Sequence, residues 1–166
     1  MVSMDDLASS FAATSLDAQP GKYEKAFNRL VEFAEDIRGP KISGNELKVT
    51  KELAGPFTSG GLLVLLLEPL RWHPWKEGVD RVISGCGTLD LVEERICIGS
   101  RGSLSLEKNV SLLDSYPLLA KEINRHLEDE ERNRLRGLVA DAIEAKRPDV
   151  ILCMGTVCRG ALRFGL

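Results

Sequence analysis

The run Asp149-Val150-Ile151-Leu152-Cys153-Met154-Gly155 follows a Lys146-Arg147-Pro148 stop, and that stop ends an apolar stripe opened by the acidic cluster Glu128 to Glu131. Acidic residues at a helix start and basic residues at its end both suit the helix dipole, and proline ends the pattern. A short, continuous apolar run closed by glycine then reads as a buried strand. Ligands of α/β proteins gather beyond the carboxyl ends of such strands. Gly155 and Thr156, with Arg159 one turn along, are therefore candidate binding residues at a helix start whose free N–H groups favour an anion. The competing reading of the same residues is ordinary strand-to-helix punctuation.

Working outward, Leu62 to Leu67 is a second continuous apolar run, preceded by Gly55-Pro56-Phe57-Thr58-Ser59-Gly60-Gly61 and ended by Glu68-Pro69. Its lack of alternation predicts a strand covered on both faces. Upstream, Tyr23, Ala26, Phe27, Leu30, Val31, Ala34 and Ile37 recur at helical spacing up to Gly39-Pro40, and Asn45 to Leu53 fits a short helix. Between Val79 and Asp114 the chain reads as β-rich. Val79–Ser84, Leu89–Ile98 and Asn109–Leu113 are candidate strands, with alternation clearest at Arg95-Ile96-Cys97-Ile98. Beyond Pro117, Leu118 to Leu127 suggests a helix, and Leu135, Leu138, Val139, Ala142 and Ile143 form the inward stripe of another. The expectation is a three-layer α/β fold with a mainly parallel central sheet flanked by helices. Residues 1–20 read as a loosely ordered segment and 21–166 as one domain, with a C-terminus close enough to a core unit to suggest truncation.

A chain of 166 residues can bury roughly two-thirds of its unfolded surface in one core. Hydrophobic residues at 43% and charged residues at 28% exclude wholesale disorder. A net charge of -3 argues against a large basic surface for nonspecific nucleic-acid binding, since counterion release needs concentrated cations. Cys86, Cys97, Cys153 and Cys158 form no C-x-x-C pair and read as buried or free thiols, which points to a reducing intracellular setting, nuclear or cytoplasmic. The longest apolar run is far short of the roughly 20 residues of a membrane span. No metal or cofactor is expected.

Asn109-Val110-Ser111-Leu112-Leu113-Asp114 with Tyr116-Pro117, then Glu130 and the unit from Leu135 to Gly155, resembles the centre of the uracil-DNA glycosylase superfamily. The Lys146-to-Gly155 stretch is one residue looser than that family's K-P-x-x-I-x-x-x-G strand. The resemblance implies DNA as partner and hydrolysis of an N-glycosidic bond to a flipped base, with a carboxylate orienting water and a histidine steadying the departing base. It aligns Leu62 to Leu67 with the strand before the water-activating loop, making Glu68 the candidate catalytic base, and it sets Asn109 among the substrate-binding residues. Both glycines of that loop are absent here, and no histidine follows Gly155. Loss of those groups leaves a second reading, a non-enzymatic module binding nucleic acid or protein on the same fold.

The segment Arg71-Trp72-His73-Pro74-Trp75-Lys76 bears on both readings. Trp72, His73 and Trp75 can stack a base while the cations hold phosphate, or the loop is simply bent by proline with its tryptophans covering the core edge. Gly99 to Ser103 reads as a turn between strands rather than a phosphate loop, lacking the Lys-Ser/Thr ending. Cys158 has no orienting histidine or acid nearby in sequence, and Arg132, Arg134 and Arg136 read as surface charge.

Overall fold

A computed structural model describes residues 21–70 and 72–154. Its centre is a three-stranded sheet of order β2-β1-β3, formed by β1 (Leu62–Leu66), β2 (Ser111–Asp114) and β3 (Val150–Cys153), every pair parallel. Leu63 pairs with Ser111 on one side and Ile151 on the other, so the three runs of apolar sequence lie side by side.

β1 and β2 have helical cover on both faces, which is why β1 shows no alternation, whereas β3 at the sheet's edge is not the buried strand expected, Val150 and Leu152 being exposed among the described residues. Leu63, Leu65 and Leu113 point into a cluster built by α1 (Lys22–Arg38) and α6 (Asp129–Lys146), with Tyr23, Phe27, Phe33, Leu135 and Ile143 at its heart. Val64 and Leu112 point the opposite way, against α2 (Gly44–Ala54), α3 (Val79–Ser84) and α4 (Gly87–Gly99). The result is the expected three-layer α/β arrangement. Among the described residues no helix is long and apolar enough to cross a membrane.

The strands expected at Val79–Ser84 and Leu89–Ile98 are helices instead. Four residues of alternation at Arg95 to Ile98 were too few to decide the period, whereas the buried side chains Leu89, Val92 and Ile96 fall at helical spacing. The Gly99-to-Ser103 turn accordingly leaves a helix rather than linking two strands, with the N–H of Gly102 bonded to the Cys97 carbonyl at 2.7 Å. Downstream of Pro117 the helix shrinks to one turn, α5 (Lys121–Asn124), because Leu118 takes a positive φ of 61° and, with Leu119, fills the core directly.

The two ends of α6 follow the reading of its charges. Glu128 and Glu131 form a reciprocal capping box, and Arg147 closes the helix in the left-handed region. At the amino ends of the strands Lys146, 1% exposed, donates to the carbonyls of Pro56 (2.9 Å) and Thr58 (2.8 Å). Gly61, at φ 79°, donates its N–H to Asp149 Oδ2 at 2.6 Å. These bonds bind the loop before β1 to the loop before β3.

Candidate functional site

Chain leaving β1 passes to α3 and α4 on one face, while chain leaving β2 passes to α5 and α6 on the other. Adjacent parallel strands whose connections part in this way leave a crevice at their carboxyl tips. A cavity of about 330 Å3 occupies that position, lined by Leu66 to Leu70 after β1, Leu112 to Asp114 of β2, and Met154 after β3. Phe27, Leu53 and Leu89 supply apolar wall from three helices, and His73 and Trp75 come from the loop beyond β1.

Two carboxyl groups meet here. Asp114 ends β2 opposite Leu66 in the ladder, and the backbone beyond it stays beside β1 through bonds from the Ser115 N–H to the Leu66 carbonyl (2.8 Å) and the Tyr116 N–H to the Leu67 carbonyl (3.0 Å). Only 7% of Asp114 is exposed, and its Oδ1 has no hydrogen-bond partner. Burial, with the charge of nearby Glu68 adding to it, pushes the Asp114 carboxyl up to about 7. Glu68 is differently served: Oε2 accepts a hydrogen bond from Asn124 Nδ2, and the same amide nitrogen donates to the Leu119 carbonyl at 3.2 Å. The pair thus consists of one carboxyl that burial leaves about half protonated at neutral pH and one held by a side-chain donor. Environments that separate two carboxyls this way are suited to acid and base roles.

The loop beyond Pro69 builds one wall. His73 Nε2 accepts the Leu70 N–H at 3.2 Å, which leaves the proton of the neutral ring on Nδ1. Burial lowers the His73 pKa, with the charge of Glu46 opposing that shift. The ring meets Trp75 edge to face, centroids 4.7 Å apart at 70°. Glu46 itself is clamped by Arg38, whose Nη1 also donates to the Leu118 carbonyl at 2.7 Å, tying α1 and α2 to the loop after β2.

Of the sequence-derived candidates, Glu68, His73 and Trp75 come together around the cavity. Trp72 does not line it; the residue is 82% exposed. Asn109 is a correction. It lies before β2, at the end away from the cavity, where its Oδ1 accepts the Ser105 N–H (2.9 Å) and its Nδ2 donates to the Ser103 carbonyl (2.8 Å), closing its own loop. Gly155, Thr156, Cys158 and Arg159 lie outside the described residues. Cys86 lines the cavity as a buried free thiol.

Asp114 and Asn124 were missed as site residues. The signal for Asp114 was available, since an acidic residue ending the apolar run Ser111-Leu112-Leu113 sits where a strand tip must be. Asn124 gave none, being one polar residue on a short charged helix. Among the described residues no group of three histidine, cysteine or acidic side chains is placed to hold a metal ion. Comparison with protein families, with curated proteins and with solved structures finds no match for this chain.

Proposed function

We propose that this protein hydrolyses the N-glycosidic bond of a damaged or deaminated base in DNA, with Glu68 as general base and Asp114 as general acid. The observation that carries the reading is the unequal carboxyl pair at the tips of adjacent parallel strands, inside a cavity near the lower end of the roughly 300–1,000 Å3 range of small-molecule sites. A base turned out of its stack enters the apolar pocket, where Trp75 and Phe27 offer aromatic wall. Glu68 takes a proton from a water whose oxygen bonds to the sugar carbon. As the carbon–nitrogen bond breaks, its electron pair leaves with the base, and Asp114 supplies a proton to that base.

The exposed Leu67 and Leu70 of the cavity lining, and the exposed Trp72 on the loop that follows, favour a second reading, in which the loop grips nucleic acid without chemistry. One experiment separates the two. Incubated with single- and double-stranded oligonucleotides containing uracil or other deaminated bases, a hydrolase leaves abasic sites, and Glu68→Gln slows their formation about 100-fold or more. Salt-sensitive retention of the oligonucleotides with no abasic product would replace hydrolysis by binding. Neither product nor retention would reject both.

A further inference from the structure

We propose that His73 is a latch on the cavity: its ring holds the loop after β1 in place only while Nε2 is free to accept a hydrogen bond, so that a second proton on the ring loosens this wall. The consequence for base release rests on the hydrolase reading, whereas the latch itself is testable without any substrate.

The loop is anchored at both ends. On the β1 side the Ser115 and Tyr116 N–H groups hold the Leu66 and Leu67 carbonyls. Toward α3 the Trp75 N–H donates to the His73 carbonyl at 2.8 Å and the Glu77 N–H to the Pro74 carbonyl at 2.9 Å, which fixes the turn that carries the ring. Between these anchors His73 Nε2 reaches back three residues to accept the Leu70 N–H at 3.2 Å, and Trp75 meets the ring edge to face. Leu70, His73 and Trp75 all line the cavity, so this one side-chain bond helps set where the wall stands. A neutral imidazole has one acceptor nitrogen, whereas an imidazolium has none, because both nitrogens carry protons. Protonation therefore sets two N–H groups against each other where one bond stood. Burial lowers the His73 pKa, with the charge of Glu46 opposing that shift, so the ring is neutral and the latch closed at pH 7 and above. Closure is lost as pH falls through a value below the ordinary 6.5. The titratable groups around the ring are Glu46 on α2, Glu68 on the same loop, Asp114 at the tip of β2 and Cys86 before α4, with exposed Lys76 and Glu77 on the turn that follows.

The ring and its partner can be followed together. In NMR of the whole chain, titrated from about pH 8 to about pH 5, the Leu70 amide proton should move in one step whose midpoint matches that of the His73 ring protons. Asp114→Asn, which removes the carboxyl that titrates at about 7, should leave this step in place. In His73→Gln, whose side-chain oxygen accepts without titrating, the step should vanish. Cys86, buried and lining the same cavity, reports the opening. Its reaction with a pyridyl disulfide, read by mass and divided by the rate of a free cysteine peptide at the same pH, should rise about 5-fold or more below the step, the factor one hydrogen bond is worth. A Leu70 amide that holds its position while the ring titrates, or a Cys86 rate that does not rise with the step, overturns the latch; both measurements need only the unaltered protein, so they stand if a variant does not fold. Base release is measured on the same samples. Its absence at every pH would remove the hydrolase reading and leave the latch standing, while release without the Leu70 step would do the reverse.

Discussion

Replacing Asp114 by asparagine should make the protein more stable and less active, and the gain should appear only as pH rises. The side chain is buried at the tip of β2 with one oxygen unpartnered. Its folded-state pKa of about 7 stands against 3.8 for an ordinary aspartate. Between those values the folded state holds more protons than the unfolded one, so unfolding free energy falls as pH increases. The favourable contribution of the neutral carboxyl is complete below the ordinary value and gone once pH passes through about 7. A difference of 7 less 3.8 units corresponds to at most about 4 kcal/mol. Asparagine keeps the shape without the charge. Urea unfolding at pH 4 should therefore find the two proteins within about 1 kcal/mol, and at pH 8 the variant should lead by several, a midpoint shift of about 1–2 M. Base release should drop in the same variant, since the proton donor is lost. An equal difference at both pH values, or a variant less stable at pH 8, would refute the account of Asp114 as a carboxyl forced toward neutrality by its burial.

Further outcomes follow from the same geometry. Wild-type base release should decline above about pH 7, where Asp114 loses its proton; a rate still rising at pH 9 would exclude it as the acid. Lys146→Ala should cost about 2 kcal/mol or more at pH 7 in denaturant titration, by leaving the Pro56 and Thr58 carbonyls unpaired and opening space beside Tyr23. Burial lowers the Lys146 pKa to about 8, so between there and 10.5 the unfolded state binds more protons and its contribution to stability rises with pH. The same titrations run at pH 8 and pH 10 should thus show the gap between wild type and Lys146→Ala widening. Leu63→Ala, at the centre of the sheet, should cost about 2–5 kcal/mol, while Val150→Thr, half exposed on β3, should stay within about 0.5 kcal/mol.

The parts of this fold legible in the chain are those governed by local pattern. Leu62 to Leu67 reads as a strand covered on both faces because a continuous apolar run without alternation needs such cover, Asn109 to Leu113 and Asp149 to Met154 read as strands from short apolar runs bounded by turn or stop residues, and α1 and α6 read as helices because their apolar residues recur at three and four positions. Glu68, His73 and Trp75 could be named because a polar residue or aromatic pair just past a strand has one natural place to be. Period alone misled between Val79 and Ile98, where runs of four to ten residues fit two geometries and burial against β1 and β2 chose the helix.

Which residues meet was a matter of tertiary structure. The sequence by itself marked the segments that became the three strands, among five candidates, and put Glu68 and Asp114 directly after two of those runs, since both facts are written in consecutive residues. Only the folded chain decided that those strands lie in the order β2-β1-β3, that two carboxyls 46 positions apart share one cavity, and that Asn124 reaches across 56 positions to one of them. Parallel pairing requires long crossovers, so partners within the sheet are always distant in the chain, and no local pattern encodes which distant side chain will complete a site.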